Sequence, residues 1–355
     1  MALTAPVSLC MIARNEEVFL DAALKSVKSV LGLDEIIVVD TGSTDMTREI
    51  ALENGALVFD FEWCDDFSAA RNFAAEKAKN DWILVMDADE EVLSTETDEL
   101  ETLFNEPRSI GSVTRVELSD KATSRESRLY NRKYHRYAGS IHEQIEPFDN
   151  IPKKIKEVSI LIAHYGYLPE FKRVDIKLKR NEKLLIKELD AHPDDPYLLY
   201  QLGQSYFCND RDLTSACDCF ELALSSAPDA RLEYVYCMVE SYGYALINTG
   251  QYDKALALMG KYAEHYNGKP QFRFLSAHIY QNNAMLIEAV ECYESCIGAE
   301  TIDYSGITSY LSYYNIGVIL ECIEMTEDAI RMYNNCGDYE PALKRLAELQ
   351  RHDPI

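Results

Sequence analysis

Several whole classes of protein are ruled against by what this 355-residue chain lacks. Its ten cysteines show no C-x-x-C pair and no repeated spacing, which fits free thiols in a reducing cytosol better than a disulfide scaffold or a zinc site. No run approaches the ~20 apolar residues needed to span a bilayer, and no charged-then-apolar segment stands at the N-terminus, so a soluble, cytoplasmic protein without an integral membrane segment is expected. Positive charge is scarce. Lys and Arg number 35 against 60 Asp and Glu, a net charge of −25, and so acidic a chain would be repelled by a phosphate backbone; a nucleic-acid partner is not expected. Glycine is missing from residues 7–16, where a nucleotidyltransferase of α/β type would need a glycine-rich loop to hold a triphosphate.

The charge that is present is unevenly placed. Residues 1–107 hold 24 acidic and 7 basic side chains, residues 108–187 hold 10 and 18, and residues 188–355 hold 26 and 10. The middle segment is a basic island, suited either to anionic ligand or acceptor groups or to a solvated linker face. The length allows about two domains at the usual ~150 residues each.

The first hundred residues alternate strand and helix. Val7 to Ile12 reads as a strand, and Leu20, Leu24, Val27 and Leu31 follow at helical spacing. Ile36 to Val39 is the next strand, residues 40–45 a turn, and Thr47 to Asn54 a helix ended by Gly55. Ala56 to Asp60 is a third strand, and Phe67, Ala70, Ala74 and Ala78 mark a further helix. Trp82-Ile83-Leu84-Val85-Met86 then runs straight into Asp87-Ala88-Asp89-Glu90-Glu91. This order implies parallel βαβ units with right-handed crossovers. From about Ser112 the pattern changes to shorter segments, Ser127 to Asn131 and Val158 to Ala163 among them, which look like added strands flanking the site. A basic amphipathic helix from Phe171 to Asp190 is expected to link the domains.

After Pro196 small and aromatic residues recur in a register that resembles the tetratricopeptide repeat: Gly203, Tyr206, Ala216, Phe220; Gly243, Tyr252, Ala255; Ala277, Ala289, Tyr293; Gly317, Ala329, Tyr333. The intervals between Ala216, Ala255, Ala289 and Ala329 are 39, 34 and 40 residues, so four helix pairs fit if two of them carry loop insertions. The tyrosines and phenylalanines read as core packing between helices.

Polar groups close three strands: Arg14-Asn15-Glu16, Asp40 and Asp87-Ala88-Asp89. In a parallel sheet these ends share one edge, where such sheets bind ligands. A second D-x-D, Asp210-Arg211-Asp212, has no strand before it, so position rather than the triplet carries the signal. Carboxylates that converge must be paired, protonated or metal-bound, and oxygen ligands suit magnesium or manganese.

These residues resemble the family 2 glycosyltransferases of the GT-A fold. The likeness rests on Asn15-Glu16, on V-V-D-T-G-S-T-D-M-T around Asp40, on Ala70-Arg71-Asn72 and on the D-A-D; G-S-I-H-E-Q-I at 139–145 and H-Y-G-Y at 164–167 extend it. It covers residues 5–165. With the repeats behind, the chain resembles bacterial glycosyltransferases fused to tetratricopeptide repeats, among them enzymes that modify flagellin or bacteriocin peptides of the sublancin type. The resemblance implies an α/β GT-A (Rossmann-like) catalytic domain over 1–168, a helical linker over 169–195 and an all-α repeat solenoid over 196–355. It implies that Asn15, Glu16, Asp40, Arg71, Asp87 and Ala88 bind the nucleotide sugar, with Asp40 accepting from the base, uracil in most relatives. Asp87 and Asp89 would meet ribose and metal, and His142 or His164 would complete the metal shell. Thr41 departs from the pattern, since many members carry an acid there.

Inverting transfer by in-line attack on the anomeric carbon follows from the resemblance, with Asp89 and Glu143 as catalytic groups. Glu143 is the candidate base, and Glu90 or Glu91 could serve instead. The expected partners are a UDP-sugar, manganese or magnesium, and a peptide or protein acceptor held by the repeats. A glycan-directed transferase and a repeat scaffold with a non-catalytic, nucleotide-sugar-sensing domain are the competing readings. An oligomer is left open.

Overall fold

A computed structural model describes residues 5–118, 123–149, 151–166, 174–208, 212–300 and 306–349. Tyr167, Phe171, Asp210 and Arg211 lie outside these. The chain divides into two compact units, residues 1–184 and residues 185–355.

In the first unit four parallel strands, β1 (Val7–Ala13), β2 (Glu35–Asp40), β3 (Leu57–Asp60) and β4 (Trp82–Val85), alternate with helices α1 (Leu20–Ser26), α2 (Thr47–Glu53) and α3 (Phe67–Lys77). Their spatial order is β3-β2-β1-β4. Leu9, Met11, Val38 and Leu84 face one apolar layer, and Cys10, Ile37, Val39 and Val85 face the other. Burial on both faces is why these strands read as unbroken apolar runs. The expected helix after β1 ends early. It continues as a π-helical turn over Val27–Leu31, closed by Gly32 at φ 65°, and the turn keeps both Val27 and Leu31 in the core.

Beyond β4 the segments expected as added strands at Ser127 to Asn131 and Val158 to Ala163 lie within strands, which are longer than expected. The elements are β5 (Glu90–Thr95), α4 (Thr97–Phe104), β6 (Ser109–Glu117), β7 (Thr123–Asn131), the hairpin β8 (His135–Ala138) and β9 (Gln144–Pro147), and β10 (Lys154–His164). Strands of nine, nine and eleven residues at β6, β7 and β10 continue the sheet as β4-β7-β6-β10-β5. Here β4/β7, β7/β6 and β10/β5 pair antiparallel, while β6/β10 is parallel. Apolar periodicity catches only part of β7 and β10 because the site-facing ends of β6, β7 and β10 carry Arg115, Glu117, Glu126, Arg128 and His164 instead of aliphatic residues. The D-A-D occupies the turn between β4 and β5.

Helix α5 (Val174–Ala191) contains the division between the units. The second unit continues with α6 (Pro196–Phe207), α7 (Leu213–Ser225), α8 (Glu233–Asn248), α9 (Tyr252–Tyr266), α10 (Pro270–Asn282), α11 (Leu286–Cys296), α12 (Tyr310–Cys322), α13 (Thr326–Asn334) and α14 (Glu340–Leu349). From α6 onward these form the four expected helix pairs, with α14 following the last. Small residues sit where an aromatic ring crosses: a Cβ on Gly203 would lie 2.4 Å from the Phe220 ring, and one on Gly317 would lie 2.6 Å from Tyr333. Asp212 of the second D-x-D is the N-cap of α7 and accepts from Ser215 N at 3.0 Å, a structural task. All ten cysteines are free thiols.

Candidate active site

The ends of β1 and β2 are stitched to each other. Asp40 Oδ1 accepts from Gly42 N at 3.2 Å and Ser43 N at 2.8 Å, and Gly42 takes φ 100° to close that turn, a conformation glycine adopts without steric cost. Asn15, itself at φ 57°, accepts from Thr44 N at 2.8 Å through Oδ1 and donates its backbone N–H to Ser43 Oγ at 3.0 Å. Glu16 N donates to Thr47 Oγ1 at 2.7 Å. Asn15 and Asp40 thus hold the rim together, while Glu16 and Thr41 beside them line a cleft of about 290 Å³.

Into the same cleft come Arg71 from α3, the Asp87–Asp89 turn, Ile141 to Glu143 from the turn before β9, and His164 from the end of β10. Arg71 organises one side. Its side chain is 8% exposed; Nε donates to Glu143 Oε1 and Nη2 to Asp87 Oδ1 at 2.8 Å. Asp87 Oδ2 receives Arg128 Nη2 at 3.2 Å, and that guanidinium also donates to Glu90 Oε1 at 3.0 Å and Glu126 Oε2 at 2.6 Å. Burial raises the cost of charge on Asp87, yet Arg71 and then Arg128 hold its carboxyl well below the usual carboxylate range. Burial pushes Glu90 up to about 7, with Arg128 opposing. The Glu90 side chain is fully enclosed and, like Glu91, stands outside the cleft lining, so of the three glutamates considered as base only Glu143 reaches the cavity.

The other side is built on an imidazole. His164 Nδ1 bonds Glu117 Oε2 at 2.7 Å, and Nε2 lies 3.5 Å from Asp89 Oδ2. Burial pulls His164 down, but the bonds to Asp89 and Glu117 outweigh it and push the imidazole up to about 9. Glu117 is gripped in turn by Arg115 Nη2, whose Nη1 reaches Glu126 Oε1 at 2.9 Å. Burial pulls His142 below its ordinary value, with Glu143 opposing, so it is neutral near pH 7. The expected metal shell of Asp87, Asp89 and a histidine, His142 or His164, is not gathered. Asp87 is turned to two guanidiniums, His142 stands in the turn before β9, and among the described residues no group of three or more His, Cys, Asp or Glu side chains is placed to hold a metal. Asp89 and His164 do stand together, an oxygen and a nitrogen donor 3.5 Å apart. That pair fits a magnesium- or manganese-like ion that takes its remaining ligands from substrate phosphates and water.

Sequence reasoning does not single out Arg115, Glu117, Glu126 or Arg128. The signal for them is the basic island: two of its arginines are counter-charges for acids delivered by the first hundred residues. It also misses Trp63 and Phe67, whose rings meet edge to face at 4.8 Å in the cleft, and Arg180, stacked over Phe67 at 5.0 Å.

Residues 8–157 match the model of glycosyl transferase family 2, and residues 270–301 match a tetratricopeptide repeat. A TPR repeat-containing protein of Synechococcus elongatus is 40% identical over 216 residues, covering 57% of this chain and 52% of that protein. An uncharacterized glycosyltransferase of Rickettsia bellii is 35% identical over 152 residues, covering 39% and 51%. The SPbeta prophage-derived glycosyltransferase SunS of Bacillus subtilis is 28% identical over 220 residues, covering 59% and 51%. The chain spans about half the length of the curated relatives it matches. With its strand-end cleft and its helix pairs, the chain carries a glycosyl transferase family 2 domain followed by tetratricopeptide-type repeats.

Proposed function

We propose that the chain transfers a sugar from a UDP-sugar to a side chain of a peptide or protein acceptor, with the helical repeats presenting that acceptor. The observation that carries this reading is one cleft, at the strand ends of a family 2 domain, holding both the Asp89–His164 donor pair and the Arg71-bridged carboxylates of Asp87 and Glu143. Repeat solenoids present extended surfaces suited to polypeptides, which supports a peptide acceptor over a glycan.

In the reaction the bond between the anomeric carbon and the diphosphate breaks, and the diphosphate leaves with the electron pair. An acceptor oxygen forms the new bond on the opposite face and gives up its proton. Asp89 and His164 would hold the cation, which when bound neutralises charge growing on the departing phosphate. Arg14 and Arg180, which line the same cleft, add positive potential there. Arg71 fixes Asp87 and Glu143 in position before substrate arrives, so no reorganisation is needed at the moment of transfer. Glu143 receives the acceptor proton. A second base is favoured by a specific observation: His142, kept neutral by burial, lines the cleft beside Glu143.

Calorimetric titration of UDP with and without manganese, on the wild type and Asp89→Ala with GDP as control, tests the donor site. Manganese-dependent UDP binding that is lost in the variant is expected; no binding of either nucleotide would sink the enzyme reading in favour of a repeat scaffold. Mass spectrometry of candidate peptides incubated with UDP-sugars tests the acceptor. Glu143→Gln and His142→Asn separate the bases, since the one that keeps full turnover is not the proton acceptor.

A further inference from the structure

Helix α8 packs against α7 and α9, its neighbours in the chain, and also against α6 and α10. Four residues along its middle stay half-buried. Cys237, Glu240, Ser241 and Tyr244 recur at three- and four-residue spacing, so they form one stripe on the helix. On one side of the stripe Gln204 of α6 donates to Ser241 Oγ at 2.8 Å; on the other the His278 ring of α10 meets Tyr244 at 6.1 Å. The stripe is thus the floor of a groove walled by α6 and α10. Glu240 is out of place there. Among the described residues its carboxylate takes part in no hydrogen bond or ion pair, and the cation that acts on it, Lys269, rests over the Tyr236 ring at 3.7 Å instead. Burial pushes its carboxyl above the ordinary value, with Lys269 opposing, while His278 is held neutral by burial. Tyr236 and Tyr244 stand four residues to either side of Glu240, and the Tyr236 hydroxyl is buried without a partner. Holding an unpaired carboxylate in such a place costs stability that a neutral amide would not. What the place suits is a cation from outside, met by a carboxylate and by aromatic rings, and Lys269 over Tyr236 displays half of that contact within the chain. Residues 188–355 carry 26 acidic against 10 basic side chains, a field that draws positively charged polypeptide.

We infer that this groove binds a basic polypeptide segment, with a lysine or arginine side chain set against Glu240 between Tyr236 and Tyr244. The inference rests on the reading of the repeats as the acceptor's platform. It goes beyond that reading by naming what the platform recognises, a positively charged side chain of the acceptor apart from the residue that receives the sugar. Glu240→Gln keeps the shape of the groove floor and removes only its charge.

The test is random-peptide display on the full-length protein, with the enriched peptides then synthesised and their affinities measured by fluorescence anisotropy. Wild type is compared with Glu240→Gln and with Glu233→Gln, which removes an exposed acid from the same helix. Enriched peptides are expected to share a lysine or arginine at one position, and changing that residue to glutamine should weaken binding about tenfold or more. Glu240→Gln should cause a loss of the same size, and Glu233→Gln a change within about twofold, because an exposed charge contributes little. In chemical denaturation Glu240→Gln should be at least as stable as wild type, since an unpaired charge has been removed. A Glu240→Gln protein that fails to fold or melts early marks the carboxylate as structural and overturns the inference. Enrichment without a shared basic residue overturns it too, as does full affinity of the enriched peptides for Glu240→Gln. If a peptide receives sugar and its kcat/KM is untouched by Glu240→Gln, the inference fails alone and the acceptor reading stands. No enriched peptide at all overturns both.

Discussion

The two units bury polar groups in opposite ways. Among the described residues, every buried charged or imidazole side chain belongs to the first unit, where Arg71, Asp89, Glu90, Arg128 and His164 join one network; in the second unit the buried polar side chains are three serines, Ser205, Ser276 and Ser312. Three titratable groups of the second unit are pushed toward the neutral form. Burial pulls His278 down to about 4 and pushes Tyr244 and Tyr333 far up. Desolvating a charge is costly unless a partner of opposite sign is at hand, so a network held at that cost marks where electrostatics is used on a substrate. The core of a solenoid has no such need and is made of small residues meeting aromatic rings.

That contrast can be broken or sharpened by four experiments. The largest stability effect belongs to Arg71→Met, which strands the carboxylates of Asp87 and Glu143 together; a loss of about 3–5 kcal/mol in chemical denaturation is expected. Arg71→Lys should recover little, because an ammonium cannot reproduce the fork. Turnover responds next. Asp89→Asn should lower kcat by about 10²–10³-fold with the thermal midpoint nearly unchanged, and a variant that melts early while turning over normally would place Asp89 among structural residues.

In the second unit the lever is pH. His278 is enclosed by the rings of Tyr244, Phe274 and Tyr293, so the folded form stays neutral while the unfolded chain takes up a proton below its ordinary value of 6.5. Stability supplied by the neutral imidazole is complete above about pH 6.5 and is lost as pH falls toward about 4, by about 3 kcal/mol at most. Denaturation curves across that window should flatten in His278→Phe. The smallest change is Gly203→Ala, which drives a methyl into the fully buried Phe220 ring. A cost of about 1–3 kcal/mol is expected, with UDP binding untouched; a loss of UDP binding would mean that the two units are not separate in function.

Much of the site is legible in the chain's linear order. The apolar run of β4 leading into Asp87 and Asp89, the strand ends at Asn15 and Asp40, and the recurrence of Ala216, Ala255, Ala289 and Ala329 are local patterns, and local patterns survive in one dimension. The charged strands β6, β7 and β10 are blurred because alternation there places arginine and glutamate, not aliphatic residues, on the working face. What the linear order does not show is the partners these residues find within the chain: Asp40 and Asn15 bond their own turns, and Asp87 faces arginines.

By itself the sequence determined the strand–helix alternation of the first hundred residues, that helical repeats follow an α/β region, and the strand ends that could carry chemistry, because hydrophobic periodicity and turn residues act over a few positions. Only the tertiary structure decided which charges meet. Arg71 finds Glu143 across 72 positions, His164 finds Glu117 across 47, and Gly166 comes to stand over Asp89. Coulomb attraction and steric exclusion act through space, and their partners are chosen by where the backbone passes, not by how far apart residues lie along it.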